Sequence, residues 1–201
     1  MKKGLLIVVS GPSGSGKGTV NNRLLAMDDF RFSVSATTRA PRPGEIDGVN
    51  YFFITKEEFE KRIENGDMLE YNRYSGNYYG TPREMVERVL AEGKNIILEI
   101  DVNGAMQVKQ KYPDAVLIML LPPSFAVQEH RLRDRGTETE DVIGMRLEET
   151  RREVPRFYEY DYVVYNQDGG IEKAAEDILA IVRAEQLSTS RNPDTATLYF
   201  Q

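Results

Sequence analysis

The chain has 201 residues, 40% hydrophobic and 29% charged, with a formal net charge of −6. That length can bury a real core as one domain or as one domain with insertions, while the negative balance argues against broad binding to a nucleic-acid backbone, which needs clustered positive surface. Cysteine is absent and His130 is the one histidine, which excludes a disulfide framework, a thiolate zinc site and a multi-histidine metal site.

The opening "MKKGLLIVVSG" places two lysines before an apolar run that is too short for a signal peptide. No stretch approaches the ~20 apolar residues of a membrane span. The expectation is a soluble, cytoplasmic protein with neither membrane nor nucleic acid as partner.

Leu5 to Val9 is a short, β-branched run of the kind buried on both faces of a parallel sheet. A glycine-rich stretch and a helical pattern follow it. From Phe30 to Gly93 the rhythm changes: "DGVNYFFI" and "DMLEYNRYSGNYYG" predict short strands of a small antiparallel or mixed sheet. One helix lies inside this segment, with Thr55 and Glu58 spaced as a capping box. A second is predicted at "TPRE", with Thr81 as cap, Pro82 at the first helical position, Glu84 completing the box and Gly93 as the stop.

Apolar runs return at Asn95 to Ile100, Ala115 to Leu121 and Tyr160 to Tyr165, separated by helical patterns, and the long pattern "GIEKAAEDILAIVRAEQL" closes the series. Alternation of this kind implies an α/β fold, a parallel sheet flanked by helices. A second, charge-rich insertion, "DRGTETEDVIGMRLEE", lacks the runs of a core strand and is expected to be mobile. The polar "STSRNPDT" predicts a flexible tail, and the final "LYFQ" looks like the remnant of a tag-protease site, outside functional reasoning.

Gly11 to Gly16 and Lys17 give G-x-x-x-x-G-K directly after a strand and before a helix. Glycines let such a loop turn its N–H groups inward, the helix N-terminus adds a partial positive charge, and the lysine supplies a point charge for β- and γ-phosphates. The loop therefore predicts a nucleoside triphosphate site. Gly18 departs from the usual serine or threonine that touches magnesium. Thr19 offers a hydroxyl to phosphate instead, and magnesium is left to water and a distant carboxylate.

Arg39 and Arg42 lie three apart in a Pro/Gly-rich loop beside Thr37 and Thr38, which suits an anion with several oxygens or simply a solvated surface. Tyr51, Tyr78 and Tyr79 carry hydroxyls able to donate to phosphate, or rings able to pack the small sheet. Glu70 matches the paired N1–H and amino donors of guanine; taken singly it reads as a surface strand residue.

"GPSGSGKGT", "SVSATTRAPRPGE", "GVNYFF", "YSGNYYGTP", "LEIDVNGA", "PPS" and "RGTETED" together resemble bacterial guanylate kinase, of the P-loop nucleoside monophosphate kinase family, from Leu5 to about Glu185. The resemblance implies a P-loop core (1–34, 85–130 and 150–188), a small mixed-sheet GMP-binding insertion (35–84), a mobile lid (131–149) and a tail (189–201). It implies ATP binding by Gly11, Pro12, Ser13, Gly14, Ser15, Gly16, Lys17, Gly18 and Thr19, with Arg131, Arg135 and Arg146 lining the phosphates and Asn166 near adenine. It implies GMP-phosphate binding by Arg39, Arg42, Tyr51 and Tyr79, and guanine reading by Ser35, Glu70 and Thr81, with Asp101 close to the base. Lys17, Arg39, Arg135 and Arg146 are the catalytic candidates. The implied cofactor is Mg2+, held mainly through water and phosphates near Glu99 and Asp101; the family often has aspartate where this chain has Glu99.

The implied reaction is transfer of the γ-phosphoryl group of ATP to GMP, with dGMP a further acceptor, in purine nucleotide metabolism. The attacking phosphate oxygen is already ionised at neutral pH, so no general base is needed. Catalysis reduces to alignment and charge neutralisation. Arg131 and Arg135, four apart, share one helical face. Arg133, Arg151, Arg152 and His130 receive no chemical role. The alternatives are a scaffold-type binding module, a kinase for another monophosphate, and a GTPase-like switch; no "NKxD" stretch supports the last.

Overall fold

The structure, a computed structural model, describes residues 4–26, 29–74, 76–136 and 138–201. In chain order its elements are β1 (Leu6–Ser10), α1 (Lys17–Leu25), β2 (Phe30–Phe32), β3 (Ala36–Thr37), β4 (Phe52–Phe53) and α2 (Lys56–Glu64). Then come β5 (Met68–Tyr74), β6 (Asn77–Pro82), α3 (Arg83–Ala91), β7 (Asn95–Glu99), α4 (Val102–Lys111), β8 (Val116–Leu121) and α5 (Phe125–Asp134). The chain closes with α6 (Glu140–Glu153), β9 (Tyr162–Tyr165), α7 (Ile171–Leu187) and α8 (Thr195–Tyr199).

A five-stranded parallel sheet has the order β2-β7-β1-β8-β9. Every residue of β1 and β8 is buried, as expected for apolar strands covered on both faces. Alternation then divides the core. Leu6 and Val8 join Val86, Val89 and Leu90 of α3 and Val102, Ala105 and Val108 of α4. Ile7 and Val9 face Val20 and Leu24 of α1 and Ala174, Ile178 and Val182 of α7.

The segment between β2 and β7 forms the second sheet, order β4-β3-β6-β5, in which β3 pairs with β4 in parallel and with β6 antiparallel. Its own small core is Ala36, Phe59 and Met68, with Phe59 stacked on Tyr78 at 5.0 Å between centroids. Thr55 caps α2 as expected, accepting from the Glu58 N–H at 3.1 Å.

Thr81 does not cap α3. Strand β6 runs through Pro82, which is the N-cap residue in extended conformation, and the Thr81 hydroxyl is spent instead on Glu70, directly opposite it in the ladder. A β-bulge between Met68 and Glu70 creates that pairing; bulges re-aim the side chains around them. Leu69 turns into the main core while Glu70 meets Thr81.

The charge-rich segment after α5 is largely helical: α6 buries Ile143 and Leu147 against Leu132 of α5, with Phe125 beside them. Beyond α7, in the stretch expected to be a flexible tail, Arg191 binds Glu185 at 3.0 Å and donates to the Asp114 carbonyl at 2.7 Å.

Candidate active site

The crevice at the carboxyl ends of the parallel strands is where ligands enter open α/β sheets. Here Ser10 ends β1, Glu99 ends β7, Leu121 ends β8 and Asn166 follows β9.

The loop from β1 to α1 is bare for two identifiable reasons. Gly11 has φ 144°, and a Cβ there would overlap the Leu120 carbonyl oxygen; Gly16 has φ 87°, and a Cβ there would overlap Asn166 Nδ2. The Ser15 N–H donates to the Pro12 carbonyl at 3.2 Å, tightening the turn. Lys17 folds back over it, donating to the carbonyls of Gly11 at 2.6 Å and Pro12 at 3.2 Å. Burial holds the Lys17 pKa below the ordinary lysine value; Glu99 and Glu153 oppose that effect, and the positive charges of Arg135 and Arg146 add to it. Gly18 and Thr19 are exposed on the first turn of α1, with open space around Gly18.

Four further side chains brace this loop. Asn166 Nδ2 donates to the Ser15 carbonyl at 2.9 Å. Arg131 donates to the Asn166 carbonyl at 2.9 Å and to Asp168 at 2.7 Å, and reaches the Gly14 carbonyl at 3.5 Å. Arg146 donates to the Ser13 hydroxyl and pairs with Glu138. Arg135 is the exposed C-cap residue of α5, its charge bearing on Lys17. Gln128 was not singled out in the sequence, yet it donates to the Ser13 carbonyl at 2.8 Å and the Thr150 hydroxyl at 2.7 Å.

Ser35, Tyr51, Glu70, Tyr79 and Asp101 line one cavity of about 160 Å³, along with Asn72 and Glu99. Glu70 is 4% exposed. Its Oε1 accepts from the Thr81 hydroxyl at 2.7 Å. Burial, with the charge of Asp101 adding to it, pushes its pKa up to about 7 even though the Thr81 bond pulls the other way. Thr81 itself stands behind Glu70.

At the outer end, Glu45 takes both prongs of its carboxylate to Arg39 Nη2 at 2.9 Å and accepts from the Arg42 N–H at 2.7 Å. The Arg39 guanidinium lies 5.6 Å from the Tyr51 ring centre, and Tyr51 meets Tyr79 edge-on at 6.1 Å. The Arg42 side chain is exposed.

Glu99 connects the two halves: it lines the cavity and its charge bears on Lys17. Its Oε2 accepts from Asn21 Nδ2 at 2.9 Å. Asn21 is four residues after Lys17 on α1, a helical spacing that could have flagged it. Asp101 caps α4 through the Gly104 N–H at 2.7 Å and accepts from Asn72 Nδ2 at 2.8 Å. Among the described residues no cluster of three or more His, Cys, Asp or Glu could hold a metal by itself. Glu99, which lines the cavity and whose charge bears on Lys17, is the carboxylate that would face a phosphate-bound cation.

Glu153 was also missed. It ends α6 with its pKa pushed to about 7 by burial and by the neighbouring Glu149, while Lys17 pulls it down. Only tertiary packing brings it near Lys17, 136 positions away by numbering (153 − 17).

A phosphate loop on a parallel sheet, facing a polar cavity built on an inserted sheet, defines a phosphotransferase of the P-loop nucleoside monophosphate kinase class. The family model for guanylate kinase matches residues 3–185. The guanylate kinase of Lactiplantibacillus plantarum is 50% identical over 192 residues, covering 94% of this chain and 92% of that one. That of Halalkalibacterium halodurans is 51% identical over 191 residues, covering 94% and 93%. The crystal structure of guanylate kinase from Anaplasma phagocytophilum superposes with a TM-score of 0.76 at 36% identity, covering 94% of this chain and 90% of that one. The chain belongs to the guanylate kinase family.

Proposed function

We propose that this kinase transfers the γ-phosphoryl group of ATP to GMP and dGMP, giving ADP and the guanosine diphosphates, in cytoplasmic purine nucleotide metabolism. The observation that supports this reading most is a buried carboxylate, Glu70, in a small cavity also lined by Glu99, whose charge bears on Lys17. Ionised, it accepts two adjacent donors, which is the Watson–Crick edge of guanine and not that of adenine. The recognition groups act on base and phosphate, so the deoxyribose analogue fits as well.

In this account residues 35–84 carry GMP and residues 131–149 form the lid over a core made of 1–34, 85–130 and 150–188. Arg39, Arg42, Tyr51 and Tyr79 hold the GMP phosphate; Ser35, Glu70 and Thr81, with Asp101 near, orient the base. Residues 11–19 hold the ATP phosphates, Asn166 lies toward adenine, and Arg131 lines the site. Glu99 and Asp101 would hold Mg2+ through water, and the ion would supply charge neutralisation to the phosphates.

The GMP phosphate oxygen is already anionic, so the residues need to move no proton. Lys17, Arg39, Arg135 and Arg146 set donor and acceptor in line and spread the charge of the transferring group. Lys17 starts on the Gly11 and Pro12 carbonyls and exchanges them for phosphate oxygens. Closure excludes water, so ATP hydrolysis without GMP is expected to be far slower than transfer.

The test is ADP formation from Mg-ATP with GMP, dGMP, AMP, CMP or UMP. Stimulation by the guanine nucleotides alone supports the reading. Equal stimulation by AMP, or none by any monophosphate, overturns it.

A further inference from the structure

Gly104 lies in the first turn of α4, one of the worst residues for a helix interior. Its backbone is not in the left-handed region that would require glycine. The reason for its bareness is across the interface: a Cβ there would stand 2.8 Å from Glu70 Oε2 and 3.3 Å from Glu70 Cδ. The other carboxylate oxygen is held by Thr81 at 2.7 Å. Glu70 is thus clasped between one hydroxyl and the naked backbone of α4.

The helix has no easy way to back off. Asp101 at its start accepts from Asn72 of β5 at 2.8 Å. Gln107 exchanges two hydrogen bonds with the Tyr71 backbone, at 3.2 and 2.9 Å. Lys111 at its end donates to the carbonyls of Met68 at 3.1 Å and Leu69 at 2.7 Å. These contacts fall on both sides of Gly104, so α4 and β5 are stitched along their shared length. An added methyl group must move the carboxylate and not the helix.

We infer that Gly104 is a specificity-determining positioning residue: its missing side chain is what lets Glu70 lie against α4 with its carboxylate facing the base cavity. The inference rests on the reading of Glu70 as the guanine acceptor. It extends that reading to a residue that touches no substrate.

Gly104→Ala tests it, because alanine favours the helix and its Cβ overlaps only Glu70, the Ile100 Cβ lying at an ordinary 3.4 Å. The discriminating readout is kcat/KM for GMP divided by that for IMP, which lacks the 2-amino group. The ratio is expected to fall by about tenfold or more, with KM for ATP within about twofold of the parent chain. Glu70→Asp withdraws the carboxylate from the clash. Adding Gly104→Ala to Glu70→Asp is therefore expected to leave the GMP/IMP ratio and the melting temperature essentially where Glu70→Asp sets them. A folded Gly104→Ala enzyme with an unchanged ratio overturns the inference. If Gly104→Ala fails to fold, restored folding in the double variant supports the inference and continued failure overturns it. The melting comparison stands even if the parent chain does not phosphorylate GMP, an outcome that would count against the assigned function alone.

Discussion

Asn166 holds Ser15: its Nδ2, on a residue 4% exposed, donates to the Ser15 carbonyl at 2.9 Å across 151 positions of sequence. The same nitrogen occupies the space a Cβ on Gly16 would need. The phosphate loop therefore depends on a residue that enters only with the last strand of the sheet.

Asn166→Ala removes one buried hydrogen bond, worth about 0.5–1.5 kcal/mol, and is expected to raise KM for ATP by roughly three- to tenfold while leaving KM for GMP nearly unchanged. Gly16→Ala adds a strained positive φ to a direct overlap and is expected to be far worse, with kcat/KM for ATP down by about a hundredfold or more. Steady-state kinetics with each substrate varied in turn checks both. Equal effects on the two KM values would contradict the assignment of Asn166 to the ATP half.

Glu45 holds one nitrogen of Arg39, both carboxylate oxygens accepting from Nη2 at 2.9 Å, while Nη1 donates to the Ala40 carbonyl at 2.7 Å. Arg39 in turn keeps Glu45 below the usual carboxylate pKa, with the Arg42 N–H assisting. Glu45→Gln keeps the shape and drops the charge. It is expected to raise KM for GMP about fivefold with kcat little changed, because the guanidinium loses its aim before it meets phosphate. Isothermal titration with GMP alone provides a second check; tighter GMP binding would mean that Glu45 competes with the substrate instead of preparing for it.

Glu70 has opposite pH signatures in stability and in binding. Its pKa is raised to about 7 from 4.5. Folding thus favours the protonated form, and the stability it contributes below about 4.5 is lost as pH rises through about 7. Relative to Glu70→Gln, the parent chain is expected to melt progressively lower between pH 5 and pH 8. GMP needs the ionised form, so KM for GMP is expected to fall over the upper part of that range. The GMP phosphate titrates nearby, and Glu70→Gln separates the two effects by keeping the phosphate step and losing the other. A Glu70→Gln enzyme with the parent pH profile would remove Glu70 from base recognition.

Gly18 has open space where a side chain would stand. Gly18→Ser is expected to fold with equal or slightly higher stability, since serine is the better helix former by about 0.5 kcal/mol. It also restores the hydroxyl that many phosphate loops offer to magnesium. The Mg2+ concentration for half-maximal activity is expected to fall severalfold. No change would show that the metal in this enzyme takes nothing from that position.

What was legible in the sequence was local. The strand–loop–lysine–helix order needs only consecutive residues, and β1, β7, β8 and β9 announced themselves as apolar runs with ends off by a residue or two. Thr81 shows the limit of local logic. Its spacing to Glu84 satisfies a capping pattern, yet a bulge ten residues upstream or more sets Glu70 opposite it and claims the hydroxyl. Gln128 and Glu153 carried no local signal, because each acquires its role from an element packed against it; a glycine inside a helical pattern flags Gly104, but its reason, Glu70, lies on another element. Asn21 was within reach: four residues after Lys17 on a helix, it had to share that face.

The most direct test of the whole account follows the phosphoryl group itself. ATP labelled at the γ-phosphorus is incubated with Mg2+, GMP and the enzyme, and the label is located. The account predicts labelled GDP, with the label at the β-phosphorus and formed one for one with ADP. Label recovered as inorganic phosphate, or ADP formed at the same rate without GMP, would contradict it.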